Sequence, residues 1–195
     1  MSSNEVIERL IVEASTNPLD PEKNLAIAIE YEKLGQTASA VGFYLRAAEY
    51  GYKDEPLVTY AALLRVSICI EGQKDRSLTV SNVILQAIAY MPQRPEAYLL
   101  MSKFYERAGS WQESYTYAVL GYGWTRQLWE LPVDVGYPGE FALEFQQAVS
   151  AWWIGRRDES LRMLRNLSNN RFVTPEYAQA IKDNLGRLDP NEASI

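Results

Sequence analysis

Residues 95–121 read PEAYLLMSKFYERAGSWQESYTYAVLG, and this stretch carries the signals of one complete helical hairpin. Pro95 suits the first position of a helix, where the missing amide would have had no intrahelical partner. Tyr98, Met101, Ser102 and Tyr105 recur at the three- and four-residue spacing of a single helical face. Gly109 stops that helix, Ser110 and Glu113 have the spacing of a capping box, and a return helix runs to about Gly121. Gly72 and Gly35 stand 37 and 74 residues earlier, each closing another periodic apolar stretch of roughly four turns. A period between about 20 and 50 residues means supersecondary units that bury their apolar faces only against their neighbours. The expected fold is therefore an all-α repeat array.

The flanking sequence supplies the other hairpins. Asp20 can cap the helix that Pro21 opens and that runs through Leu25, Ala28, Ile29 and Tyr31 to Leu34; Ala40, Val41, Tyr44, Leu45, Ala47 and Ala48 form its return. The second hairpin spans Val58 to Ile70 and Ser77 to Met91, with three extra residues among Gln73, Lys74, Asp75 and Arg76 that stretch one turn. From 122 to 139 the periodicity breaks into a connector dense in turn formers. It resumes with Phe141, Phe145, Ala148, Val149, Trp152 and Trp153 before Gly155, and with Leu161, Leu164 and Leu167 after it. Ser2 and Glu5 have capping-box spacing at the start of a short first helix, and Thr174-Pro175-Glu176 opens a last one through Tyr177, Ile181, Leu185 and Leu188. The reading is one domain over 1–195, with repeats at about 21–52, 55–92, 95–123 and 138–168 and capping helices at 4–15 and 174–188.

A chain of 195 residues is long enough to bury roughly 70% of its unfolded surface. With 47% hydrophobic and 23% charged residues it falls among ordinary globular proteins, so neither disorder nor a membrane class is indicated, and no apolar run reaches the ~18 residues of a span. A net charge of -6 repels polyphosphate, which argues against nucleic acid as a partner. The single cysteine, Cys69, has no disulfide partner and no secretory leader precedes the first helix, which favours a cytoplasmic setting. Its neighbours Val66, Ile68 and Ile70 place Cys69 in the core.

Chemistry is scarce. The absence of histidine removes the imidazole base, the Ser-His-Asp arrangement and His-containing metal sites together, and one cysteine removes thiolate clusters. Gly121-Tyr122-Gly123 lacks the third glycine and the preceding strand of a phosphate cradle. Glu140 and Glu144, one turn apart, read as a solvated first turn. In the locally basic stretch of Arg156, Arg157, Arg162, Arg165 and Arg171, Asp158 and Glu159 stand at pairing distance from Arg162. No cofactor, metal or catalytic constellation is expected.

Aligned on the glycines, the hairpins resemble tetratricopeptide repeats. Tyr98, Met101, Ser102, Tyr105, Gly109, Trp111 and Ser114 fall on that motif, as do Ile27, Ala28, Tyr31, Gly35, Ala40, Tyr44 and Ala47 in the first repeat and Ala148, Gly155, Ser160 and Leu164 in the fourth. Ala118 departs from it, standing where a large residue is usual. The resemblance covers most of residues 20–168 and implies a right-handed α-solenoid, capped at both ends, whose first helices line a concave groove. The runs Glu30 to Val41 and Asp134 to Glu140 are also similar to the tetratricopeptide-like region of glycosyltransferase-type proteins of cyanobacterial phages. The chain has no Asp-x-Asp and no strand-rich half, so the catalytic part of such a transferase is missing.

By that alignment the groove positions are Leu25, Ile29 and Lys33, then Ala62 and Val66, then Leu99, Lys103 and Arg107. Lys103 and Arg107, four apart on one face, suit a carboxylate of an extended segment. Trp124, Trp129 and Tyr137 in the connector offer a stacking or docking surface, or anchor the connector itself. The function expected is that of a non-catalytic scaffold binding another protein or peptide segment, or a second copy of itself. The alternatives are an accessory subunit of a glycosyltransferase system and a phage virion component.

Overall fold

The computed structural model describes residues 3–73, 75–124 and 129–189. Among these residues it contains ten helices and no strand: α1 (Ser3–Ala14), α2 (Pro21–Lys33), α3 (Thr37–Tyr50), α4 (Pro56–Glu71), α5 (Ser77–Tyr90), α6 (Pro95–Arg107), α7 (Trp111–Tyr122), α8 (Glu140–Trp153), α9 (Arg157–Ser168) and α10 (Pro175–Leu188). The fold class is all-α, built from helical hairpins. Two compact units form, one of residues 1–92 with 129–135 and the other of 93–128 with 136–195.

In the first unit α1 packs on α2, α2 on α3, α3 on α4 and α4 on α5, and the opening helices α2 and α4 also touch each other. The second unit repeats the scheme: α6 packs on α7 and α8, α7 on α8, α8 on α9 and α9 on α10. α2 and α6 therefore each meet their own return helix and the opening helix of the next hairpin. Tyr44, Tyr60, Ile27, Leu64, Ile84 and Val80 fill one core, and Leu99, Met101, Leu143, Leu164, Leu167 and Ile181 the other.

Three of the four hairpins reverse by one mechanism. Past the C-caps Leu34, Ala108 and Ile154 stand Gly35, Gly109 and Gly155 with φ of 69°, 71° and 86°, in the left-handed region that resists a side chain. In the first, the Gln36 amide donates to the Tyr31 carbonyl and that of Gly35 to Glu32; in the third, Ser110 donates to Tyr105 and Gly109 to Glu106. Arg156 to Ala151 and Gly155 to Trp152 complete the set, and these paired bonds define the Schellman turn. Gly72 differs: it is a right-handed C-cap with φ of -73°, and the left-handed residue of that longer turn is Asp75 at φ 61°. The extra residues move the chain reversal off the glycine.

Small residues let the helices approach. Ser102 hydroxyl donates to the Ser114 carbonyl at 2.9 Å, and the Ser114 and Ser150 hydroxyls meet at 2.8 Å, tying α6, α7 and α8 through buried side chains. A Cβ on Gly121 would sit 2.6 Å from Tyr98 Cβ and 2.9 Å from Leu143 Cδ2, so only glycine fits there. Ala118, fully buried, keeps the same close approach.

The caps follow the sequence only in part. Asp20 Oδ1 accepts the Lys23 amide at 3.1 Å, as its position before Pro21 requires. Ser110 and Thr174 occupy N-cap positions without any side-chain cap bond. For Ser110 the Schellman turn explains the failure of the expected capping box, since it sets ψ at 72°, short of the extended value from which a hydroxyl reaches back over the first turn. The box expected from Ser2 to Glu5 lies outside the described residues.

Gly109→Ala should cost about 1–2 kcal/mol, the penalty for a Cβ in the left-handed region, whereas Gly72→Ala should stay within about 0.5 kcal/mol. Urea unfolding of the two variants checks this. Equal losses at both sites would refute the separate turn mechanisms.

Candidate functional site

On the second unit, Lys103, Glu106 and Arg107 of α6 lie at helical spacing along one side and face Phe145 and Gln146 of α8 and Glu176, Tyr177 and Ala180 of α10, enclosing about 260 Å³. The floor is aromatic: Tyr177 stands edge-on to Phe145 at 5.4 Å and to Phe141 at 5.2 Å. Gln146 Nε2 donates to Glu106 Oε2 at 2.8 Å, which engages one of the two carboxylates in this lining. Lys103 Nζ lies 5.9 Å from the Tyr177 ring centre and meets no carboxylate at ion-pair distance among the described residues. Desolvation lowers the pKa of Arg107, which still stays a cation at any physiological pH. Glu176 is held below the usual carboxylate range by its own amide and the Thr174 hydroxyl.

The equivalent face of the first unit lies at the same register. Ile29, Glu32 and Lys33 precede Lys103, Glu106 and Arg107 by 74 residues each, twice the glycine period. They line a space of about 310 Å³ with Tyr44, Arg65 and two connector residues, Val133 and Asp134. Glu32 accepts from Arg65 Nε at 3.1 Å and from its Nη2, and from the Tyr44 hydroxyl at 2.6 Å. Arg65 Nη1 donates to the Asp134 carbonyl at 3.0 Å. Burial first, and then the Glu32 carboxylate, push the Tyr44 phenol up. For Arg65 burial opposes the charge, but the Glu32 bonds and charge outweigh it and raise the pKa. Half-buried Cys69 is pushed up to about 12 by burial and then by Glu32, so it is a protonated thiol at neutral pH.

Several expected groove residues are core instead. Leu25, Ala62, Val66 and Leu99 are 4%, 0%, 2% and 1% exposed. α4 is enclosed by α2, α3 and α5, which buries Val66 and Ala62 with most of the helix, and Leu99 joins the cluster of Phe141, Leu143 and Leu164. Ile29 and Lys103 are half-buried, and Lys33 and Arg107 are exposed, with Lys33 bonded to Glu30 at 2.6 Å. Sequence reasoning missed α10 as part of a site, treating Tyr177 and Glu176 only as a cap; the edge-on aromatic packing that seats Tyr177 is not visible in its spacing. It also missed Arg65 and Glu32, 33 positions apart, because the signal is a pairing and not a motif.

The connector aromatics separate. Trp124 and Tyr137 belong to the second unit and Trp129 to the first. Trp129 is 82% exposed, while Tyr137 packs half-buried on the Phe141 cluster, its phenol pushed up by burial and the Glu96 charge. Glu144 is raised by burial and by Glu140, and Tyr122 beside them is pushed up to about 12, by burial and then by bonding to Glu140. The basic stretch is engaged internally: Glu159 bonds the Tyr115 hydroxyl and pairs with Arg156, not Arg162, Arg157 covers Trp152, and Arg165 pairs with buried Asp189. A further groove of about 520 Å³ lies among α3, α4 and α5, with Leu45, Leu63, Tyr52 and Tyr90 in its walls. Among the described residues there is no group of three or more His, Cys, Asp or Glu placed to hold a metal, and no helix long and apolar enough to cross a membrane.

No protein-family model matches the chain, and no curated protein matches it. Solved structures do. The chain is similar to the crystal structure of MamA protein, with a TM-score of 0.64, 12% identity, and 96% of this chain and 86% of that one covered. It is also similar to TTC0263, a thermophilic TPR protein in Thermus thermophilus, with a TM-score of 0.61, 15% identity, and 94% and 90% covered. These likenesses establish a tetratricopeptide-like fold.

Native Cys69 should react with iodoacetamide at pH 8 more than about tenfold slower than in urea, because the thiolate is the nucleophile. Mass spectrometry of timed quenches measures both rates. Equal rates would place Cys69 in an open, ionisable site.

Proposed function

We propose that this protein is a non-catalytic scaffold that holds an extended segment of another protein on the face built by α6, α8 and α10. The observation that supports the reading is Lys103, without a carboxylate partner among the described residues, above the aromatic floor of Phe145 and Tyr177. An aromatic wall takes an apolar anchor, and two cations at the rim, Lys103 and Arg107, fix a carboxylate and so set the direction of the segment. In a chain of net charge -6 this local cationic spot gives orientation and not general attraction. One repeat domain over 1–195 is part of this proposal. The likeness of residues 30–41 and 134–140 to phage transferase-associated regions makes a transferase subunit or a virion protein the first partner to try, with a second copy of the chain as the other.

The double variant Lys103→Glu, Arg107→Glu should lose partner capture in affinity purification read by mass spectrometry. Its unfolding free energy should fall by about 1 kcal/mol, since Arg107 is exposed and Lys103 half-buried. Capture that persists in a folded double variant contradicts the reading.

A further inference from the structure

The chain leaves the second unit after residue 128, contributes Trp129–Val135 to the first, and returns at Gly136. This seven-residue strap has no helix or strand and bends at Pro132 and Val133. It is seated by its main chain, since Arg65 donates to the Asp134 carbonyl, and by Val135, which is 4% exposed. Arg65 is itself fixed by the Glu32 carboxylate. The strap thus lies where, 74 residues further along, Lys103, Glu106 and Arg107 line the face of the second unit. The clamp has the same logic in both: Glu32 is held by Arg65 of the next opening helix, and Glu106 by Gln146 of the next opening helix.

We infer that residues 129–135 are a built-in occupant of the first unit's face, displaceable by a segment of like chemistry from another chain. The partner that fits presents a main-chain carbonyl to Arg65, bends as the strap does, and carries branched aliphatic side chains at the spacing of Val133 and Val135. Recognition through a carbonyl needs no particular side chain at that position, so Arg65 reads backbone shape and the valine sites read sequence. Trp129, Pro132 and Asp134 are exposed and Leu131 and Val133 half-buried, so opening the strap frees one fully buried side chain, that of Val135. Its tether supplies a high local concentration, which shields the face from weak ligands and admits only competitors that exceed it.

The inference rests on the reading of opening-helix faces as segment-binding surfaces, but it concerns a different face from Lys103 and Arg107. The test is an NMR titration of ¹⁵N-labelled protein with the synthetic peptide WELPVDVG, residues 129–136. In a full-length variant whose residues 130–135 are replaced by glycine and serine, the peptide should shift amides around Ile29, Glu32 and Arg65 with at least about tenfold higher affinity than in the intact chain. Adding Arg65→Gln to that variant should abolish the shifts. Equal affinity in the intact and replaced chains, or shifts indifferent to Arg65→Gln, overturns the inference. Should the replaced chain not fold, hydrogen exchange of the intact protein decides: excess peptide should speed exchange across 129–135, and unchanged protection overturns the inference. The Lys103→Glu, Arg107→Glu variant should titrate as the intact chain does, so failure of capture and failure of strap exchange are separate results.

Discussion

A glycine at φ between 69° and 86°, one position past the C-cap of the first helix, reverses the chain in three of the four hairpins, and the rest of the architecture depends on that reversal. The Schellman turn leaves a single residue between the C-cap of one helix and the N-cap of the next, so the return helix runs back against the first with no slack. Close approach then requires small residues at the crossings, which is where Ala28, Ala40, Ala47, Ser102, Ser114 and Gly121 stand. Large side chains such as Tyr44, Met101 and Leu164 fill the space on either side of them. α2 touches α4 and α6 touches α8, and the sides of α2 and α6 that stay uncovered carry the two candidate faces.

The polar interactions are placed to fix this geometry more than to add stability. A buried hydrogen bond contributes about 1 kcal/mol net, but a buried hydroxyl without one costs about 1–3 kcal/mol, so Ser102, Ser114 and Ser150 hold their helices in one register. The Arg94–Glu96 pair is nearly fully buried at the start of α6, where the carboxylate also meets the positive end of the helix. Such pairs roughly balance their desolvation, and breaking one leaves an uncompensated charge. Burial and then the Glu96 charge raise the Tyr137 phenol at the returning end of the connector. Glu32 serves likewise in the first unit, joining α2, α3 and α4 through Tyr44 and Arg65.

The fold class was legible because its signals are local. Pro21 and Pro95 open helices, Gly35 and Gly109 close them, and the apolar spacing between identifies the buried side. Gly72 shows the limit of that reading, since it keeps the period while Asp75 takes over the left-handed conformation. The site was legible only at its charged rim. Lys103 and Arg107 line a face as their spacing suggests, but Leu25, Val66 and Leu99 at matching positions are core, because helix spacing tells which residues share a side and not how much of that side neighbouring elements cover. The connector was the least legible part: Asp134 docks on α4, 69 positions earlier, through its main-chain carbonyl, an interaction that leaves no mark on residue type.

The central claim is that partners are held on the opening-helix face of the second unit, and site-specific photo-crosslinking tests it most directly. A benzoylphenylalanine at Glu176 reports on the face with Lys103 and Tyr177, and one at Leu45 on the larger apolar groove among α3, α4 and α5. The account predicts a discrete adduct from position 176 and none from position 45 when each variant is irradiated in native lysate. Adducts from position 45 alone would show that the apolar groove, and not the cation-rimmed face, is the working surface.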